Sequence, residues 1–527
     1  MGKGGGSRRS GLWTTLALAL ALLAPGLVAQ VPAARDAADL QLALDRLQVL
    51  GTVLYLAAHP DDENPALLAW FSRGRGLRTA YLSLTRGEGG QNRIGPERGD
   101  ALGVLRTQEL LAARRLDGAE QYFTRAVDFG YSKSAAETLA AWDREAVLGD
   151  VVRVIRALRP DLVVTRFSPV PGGTHGHHTA SALLALEAFQ AAGDPGRFPA
   201  PPGQPGPWQP LRLVWNHWRP PTDQAAAPPA ASLAVDAGAY LPLLGRSCAE
   251  LGAESHSVHR SQAFGEVPLR GPRWETFEVL AGAPARRDLF EGVDPTWNRL
   301  PGGDRVGAAL AAARACYRPE APAAVLPDLL RAKAAMDALA DDPRVRAKRL
   351  EVLEAIRMAA GLWTQALADR QTVVPGEPLR VTAAILARSV AGLVLEGVEL
   401  DGRRRPGAAL APNRPVQAVF DLALAPGTPC SQPAWCGPGT GPAVHPGGDP
   451  ARAGQAEDDP PLAVTFHLSL GGVPFDLATP VRFGVCDPLR GERWQPLAVA
   501  PPVRVAFARS VELCTGPAPR PVTLTVA

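Results

Sequence analysis

The sequence predicts a chain in three parts: an α/β domain, a helical connector and a C-terminal β-sandwich. Three observations carry that expectation. The run Thr52-Val-Leu-Tyr-Leu-Ala-Ala58 follows Gly51 and is mostly apolar, β-branched or aromatic, the pattern of a buried strand. It ends in His59-Pro60-Asp61-Asp62-Glu63. A second strand-like run, Pro160 to Arg166, is followed by Gly173-Thr174-His175-Gly176-His177-His178. Beyond Asp369 the texture changes to short β-rich runs.

At 527 residues the chain exceeds one ordinary core, so two or three domains are expected. The net charge of +3 diagnoses no partner. The basic residues are overwhelmingly Arg, with Lys only at 3, 133, 333 and 348, and no basic stripe is interleaved with aromatics, so nucleic acid is not an expected partner. No GxGxxG follows the first strand, which leaves a dinucleotide site unannounced.

The N-terminus reads as an address. Lys3, Arg8 and Arg9 precede the apolar stretch Leu12 to Leu23, then Pro25, Gly26 and Ala29, the pattern of a secretory signal peptide over residues 1–29. Secretion or a periplasmic, extracytoplasmic destination follows, and Ser7-Arg8-Arg9 hints at twin-arginine export. No later apolar run is long enough to anchor the chain across a membrane.

Residues 30–304 hold the chemistry. A His and two carboxylates at the end of a strand lie where open α/β sheets bind ligands. A lone His-x-x-Asp is more simply a helix cap, but the strand placement and the second histidine cluster argue for a site. His59 and Asp62 offer a nitrogen and an oxygen suited to a divalent metal. Asp61, between them, can stay off the metal and act as a base. Zinc needs a third protein ligand with one position left for water, and the cluster at 175–178 supplies candidates. Glu63 suits a helix start or a supporting contact.

The motifs Ala57-Ala-His-Pro-Asp-Asp-Glu63, Leu82-Ser-Leu-Thr-Arg-Gly-Glu-Gly-Gly90, Arg106-Thr-Gln-Glu109-Leu and His175-Gly-His-His178 together resemble the PIG-L/LmbE family over roughly residues 48 to 300. That resemblance implies a Rossmann-like α/β fold with a mostly parallel sheet and helices on both faces. It implies a zinc-type divalent metal and hydrolysis of an N-acetyl group from an N-acetylglucosamine-type sugar or conjugate. By motif position His59, Asp62 and His178 match the metal ligands and Asp61 the general base. His175 matches the histidine that assists at the tetrahedral intermediate, and Arg106 an arginine that helps hold substrate. His177 departs from the pattern, since relatives often carry Asp there. An amide is a poor electrophile, so the expected chemistry needs an activated water, a base and a donor; His175, protonated, is the expected donor.

Further along, Ser255-His-Ser-Val-His259-Arg260-Ser-Gln-Ala-Phe-Gly265 resembles a segment of longer bacterial members, and His259 and Arg260 are candidates to face substrate. Residues 305–368 read as helices forming the connector. Residues 369–527 read as an immunoglobulin-like sandwich, with runs at 394–400, 415–424, 462–470, 478–484, 502–508 and 522–526. The Pro/Gly-rich stretch at about 428–461 reads as a disordered loop. Cys430 and Cys436 are close enough to bridge, but six cysteines allow 15 pairings and none has CxxC spacing. Two other functions fit these residues: a secreted sugar- or envelope-binding protein with little turnover, and a hydrolase of another acyl amide. The substrate's size, the physiological metal (iron or cobalt suit two nitrogens and an oxygen as well as zinc) and the oligomeric state are not encoded legibly.

Overall fold

The computed structural model describes residues 35–229, 232–388, 392–436, 443–446, 454–503, 505–508, 516, 519 and 521–526. The leader expected over 1–29 lies outside the described residues. No described helix is long and apolar enough to cross a membrane.

The α/β domain is built on a seven-stranded mixed sheet. Its strands are β1 (Thr52–Ala57), β2 (Arg78–Ser83), β3 (Glu120–Phe123), β4 (Leu162–Thr165), β5 (Arg212–Asn216), β6 (Leu233–Asp236) and β7 (Trp274–Gly282), in the order β3-β2-β1-β4-β5-β7-β6. The pairs from β3 through β5 are parallel; β7 runs antiparallel to β5 and β6. All six residues of β1 are buried, as a central parallel strand covered on both faces requires. Leu54 and Leu56 pack with the helices at Arg144–Leu158 and Gly176–Ala191. Val53, Tyr55 and Ala57 face the other way, onto Leu67, Phe71 and Leu110. From β1 the chain steps through β2 to β3, then returns to place β4 on the opposite side of β1. The reversal opens a crevice at the carboxyl ends of β1 and β4, the place where such sheets bind ligands.

The helix Ala37–Leu47 packs with the helices Gly303–Cys316, Leu326–Asp337 and Pro343–Ala359 and with both C-terminal sheets in one apolar core. The connector is shorter than expected. Its last helix ends at Ala359, and Leu362–Ala368 is a strand in the middle of a five-stranded sheet. The break falls at Gly361, and the alternation of buried Leu362, Ala366 and Ala368 with partly exposed neighbours is strand-like. The remaining members of that sheet are 378–387, 416–423, 482–487 and 491–496, and a four-stranded sheet holds 393–400, 403–409, 463–470 and 473–480. The run expected at 478–484 is therefore divided between two sheets. Pro480, which has no N–H to donate, ends one strand, and buried Val481 leads into the other.

The segment expected to be disordered over 428–461 has described stretches that pack on the α/β domain. Tyr122 bridges to Gln455 and Ala126 to Val444 in antiparallel fashion. Phe123 N–H donates to Gly454 O at 2.9 Å, and His445 N–H to Arg125 O at 2.8 Å. Composition hid this because these contacts are made by the backbone and by a few isolated side chains. Cys430 and Cys436 are both free thiols, as are Cys248, Cys316 and Cys486.

Candidate functional site

The crevice between β1 and β4 brings the two histidine-bearing segments together. His59 leaves β1 with its backbone carbonyl accepting from the Tyr81 hydroxyl. Asp62 Oδ2 accepts from the His59 backbone N–H at 2.7 Å and lies 2.9 Å from its Nδ1. Asp62 Oδ1 lies 3.4 Å from His178 Nε2. The cap of the following helix, Pro65–Ala69, is Asn64, whose side chain accepts from Leu67 N–H, so Asp62 is free for the site.

His178 is held in one orientation. Its ring stacks flat on Phe167, with centroids 3.8 Å apart, and its Nδ1 lies 2.9 Å from Thr174 Oγ1. That leaves Nε2 toward Asp62, the arrangement by which a partner on one imidazole nitrogen frees the other for a metal. His175 caps the helix Gly176–Ala191: its Nδ1 accepts from His177 N–H at 3.2 Å and lies 3.2 Å from Ser132 Oγ. His177 is fully buried, with Phe129 and Trp142 against its ring. Its Nδ1 lies 3.0 Å from His59 Nε2 and 3.9 Å from Asp128 Oδ1.

The charges follow from this packing. Burial works against a charged His59, but Asp62 outweighs it, with help from Asp128 and Asp61, and lifts the imidazole to about 9. Burial likewise disfavours the Asp62 carboxylate, yet His178 and His59 pull it well below the usual carboxylate range. Burial, reinforced by His59 and His178, pushes His175 down to about 4. Burial and the three neighbouring histidines push His177 down to about 2. The surroundings of His175 thus disfavour the protonated form expected from sequence. With Nδ1 accepting from the backbone, its proton sits on Nε2.

Asp61 has a different partner. Arg106, buried on the helix Asp100–Asp117, donates from Nη2 to Asp61 Oδ1 at 2.5 Å and from Nη1 to Gly87 O at 3.1 Å. Gly87 has φ 71°, and a Cβ there would lie 2.3 Å from Arg106 Nη1, so the turn demands glycine. Arg106, expected to hold substrate, is buried here and paired with Asp61.

His259 does not face the crevice. It is fully buried, with Nε2 2.9 Å from Glu63 Oε1, which also accepts from Arg114 at 3.0 Å. The expected substrate contact is replaced by a structural one, because the buried Glu63 carboxylate takes His259 and Arg114 as its partners. Arg260, the next residue, is exposed. Sequence reading missed Thr174, Phe167, Ser132 and Asp128, whose roles arise from loops meeting in space and carry no local signal.

Two donor sets could hold a metal ion: His59, Asp62 and His178, and His59, His175 and His177, the ligand atoms of each lying within 4.8 Å of one another. The first set fits better. It pairs two imidazoles with an ionised carboxylate and leaves room for a further ligand, whereas the second set offers imidazoles alone.

An open α/β domain with a metal-competent His/Asp cluster at its switch point defines the class of this protein. Residues 54–189 match the family model described as PIG-L, GlcNAc-PI de-N-acetylase, and this segment is a PIG-L domain. A 1D-myo-inositol 2-acetamido-2-deoxy-alpha-D-glucopyranoside deacetylase of Streptomyces avermitilis is 29% identical over 291 residues, 46% of this chain and 97% of that one. The enzyme of the same name from Kineococcus radiotolerans is 34% identical over 214 residues, 36% of this chain and 57% of that one. Among solved structures, N,N'-diacetylchitobiose deacetylase from Pyrococcus horikoshii aligns with a TM-score of 0.33 at 19% identity, over 46% of this chain and 86% of that one.

His178→Ala is expected to lower zinc affinity at least about 100-fold by calorimetric titration. His177→Ala, which removes only a neighbour of His59, is expected to lower it about 10-fold; the reverse order would select the three-histidine set. Glu63 gives a pH prediction. Burial opposes its charge, but His259 and Arg114 hold its carboxyl at about 2 instead of 4.5, so its ionised form stabilises the fold above about pH 4.5 and that contribution is lost as pH falls toward 2. The Tm gap between wild type and Glu63→Gln should be widest at neutral pH and close on acidification; a constant gap from pH 7 to pH 3 would contradict the pairing.

Proposed function

We propose that this protein is a zinc-dependent hydrolase that removes the N-acetyl group from an N-acetylglucosamine-type sugar or conjugate. The observation that carries this is the meeting of His59, Asp62 and His178 at the switch point with Asp61 alongside, inside the segment that matches the de-N-acetylase family. The names of the similar deacetylases point to the same bond.

His59, Asp62 and His178 would hold the metal. When bound, such an ion polarises the amide carbonyl and lowers the pKa of water from about 15.7 toward about 7. Asp61 accepts the proton of the attacking water. Arg106 keeps that carboxylate aimed, since its guanidinium is held at a second point by Gly87 O. His175 donates from Nε2–H to the oxyanion as it forms, without being a cation beforehand. Proton transfer from Asp61 to the departing amine completes the hydrolysis. Tyr131, 74% exposed and with its ring 5.0 Å from that of His175, offers a flat face to a sugar at the mouth of the crevice. Arg260 is a further candidate contact.

We read the two C-terminal sheets, which share one apolar core, as the halves of a β-sandwich that braces the domain. We read residues 1–29 as the leader that exports it.

The test is acetate release by the zinc-loaded chain from N-acetylglucosamine, its oligomers and inositol- or lipid-linked forms. Asp61→Asn should retain zinc and lose about 10²–10⁴-fold in kcat. Full activity in that variant would remove Asp61 from the role of base. No release from any sugar by the zinc-loaded wild type would overturn the deacetylase assignment.

A further inference from the structure

The C-terminal part sends two side chains, Trp435 and His445, onto the loop Thr85–Gly90, whose Gly87 O holds Arg106. Trp435 lies beneath that loop, with Arg86 stacked between it and Phe123 at 4.5 and 4.0 Å from the two rings. Arg86 also donates to Ala456 O at 3.1 Å and to Gln455 O at 3.3 Å. His445 is the more consequential contact. Only 2% exposed and with its ring against Trp435, it places Nε2 2.6 Å from Glu88 Oε1.

Glu88 is a junction. The same Oε1 accepts from Asp128 N–H at 3.1 Å, while Oε2 has no partner. Among the described residues His445 is the one side chain paired with this buried carboxylate. On one side of Glu88, Gly87 O receives Arg106, which orients Asp61. On the other, Asp128 begins the turn that carries Phe129 against His177 and Ser132 against His175. Gly89 lies so close to that turn that a Cβ would be 2.3 Å from Asp128 O, so the two segments move together.

We propose that His445 is a positioning residue of the active site, delivered by the C-terminal part of the chain. By holding the Glu88 carboxylate, it fixes the loop that presents Arg106 to Asp61 and the turn that seats His175 and His177. The catalytic consequence rests on the deacetylase reading; the positional one does not. A buried carboxylate that loses the one side chain paired with it among the described residues must draw in water or swing outward, and either movement displaces Gly87 and Asp128. The α/β domain would then be competent only with the segment around 445 seated on it.

The experiment uses the full-length, zinc-loaded chain in four forms: wild type, His445→Ala, His445→Gln and Val444→Ala. Hydrogen exchange of segments 85–92 and 127–132 is followed alongside zinc content, kcat and KM for acetate release. In His445→Ala, exchange in both segments should accelerate at least tenfold and kcat should fall at least tenfold, with zinc retained and KM within twofold. His445→Gln, whose amide can still donate to Glu88, should restore most of both. Val444→Ala, which trims a neighbouring packing contact, should resemble wild type. Unchanged exchange in His445→Ala overturns the proposal, as does failure of Gln to rescue or an equal loss in Val444→Ala. If His445→Ala does not fold, the double variant with Glu88→Gln removes the stranded charge and should fold with the same accelerated exchange; normal exchange in the double variant overturns the proposal. A wild type that releases no acetate contradicts the function instead, and exchange alone then decides the role of His445.

Discussion

The Asp62 carboxylate is the contact on which the site depends. It takes one histidine from the segment after β1 and one from the segment after β4 and holds them on its two oxygens. Without it, two imidazoles from separate loops would have no carboxylate bridging them. Its own ionisation is secured by those same histidines against the cost of burial. The sheet supplies the rest: β1 and β4 are neighbours in space but more than one hundred residues apart in sequence, and only the chain reversal at β1 brings their ends together.

Around this pair the neighbouring carboxylates are kept apart by their partners. Asp62 faces histidines, Asp61 faces Arg106, and Glu63 faces His259 and Arg114. Three consecutive acidic residues thus point in three directions, each toward a different cation. That separation leaves Asp62 with the candidate metal ligands, Asp61 with Arg106 and Glu63 in a buried structural pairing. His177 adds a neutral group beside His59, and Asp128 is the nearby buried carboxylate, its pKa raised chiefly by burial.

Much of this was legible in the chain. An apolar run ending in His-Pro-Asp-Asp-Glu identifies a strand and its functional end, and the histidine cluster after the second run identifies the facing loop. Legibility ends where a role depends on distant contacts. His259 looked available because its segment is polar, yet Glu63, 196 positions away, buries it. Leu362–Ala368 follows a long helical pattern and becomes a strand because sheet partners at 378–387 and 482–487 wait on either side. The stretch around 445 is rich in Pro and Gly, and composition alone gives no hint that Trp435 and His445 find Arg86 and Glu88. In each case tertiary contact overrides local texture.

Anomalous diffraction at the zinc edge from crystals of the metal-loaded chain would test the central claim most directly. One zinc bound by His59, Asp62 and His178, with Asp61 unligated and still paired to Arg106, is the predicted result. Zinc on His59, His175 and His177, or Asp61 drawn onto the metal, would contradict it.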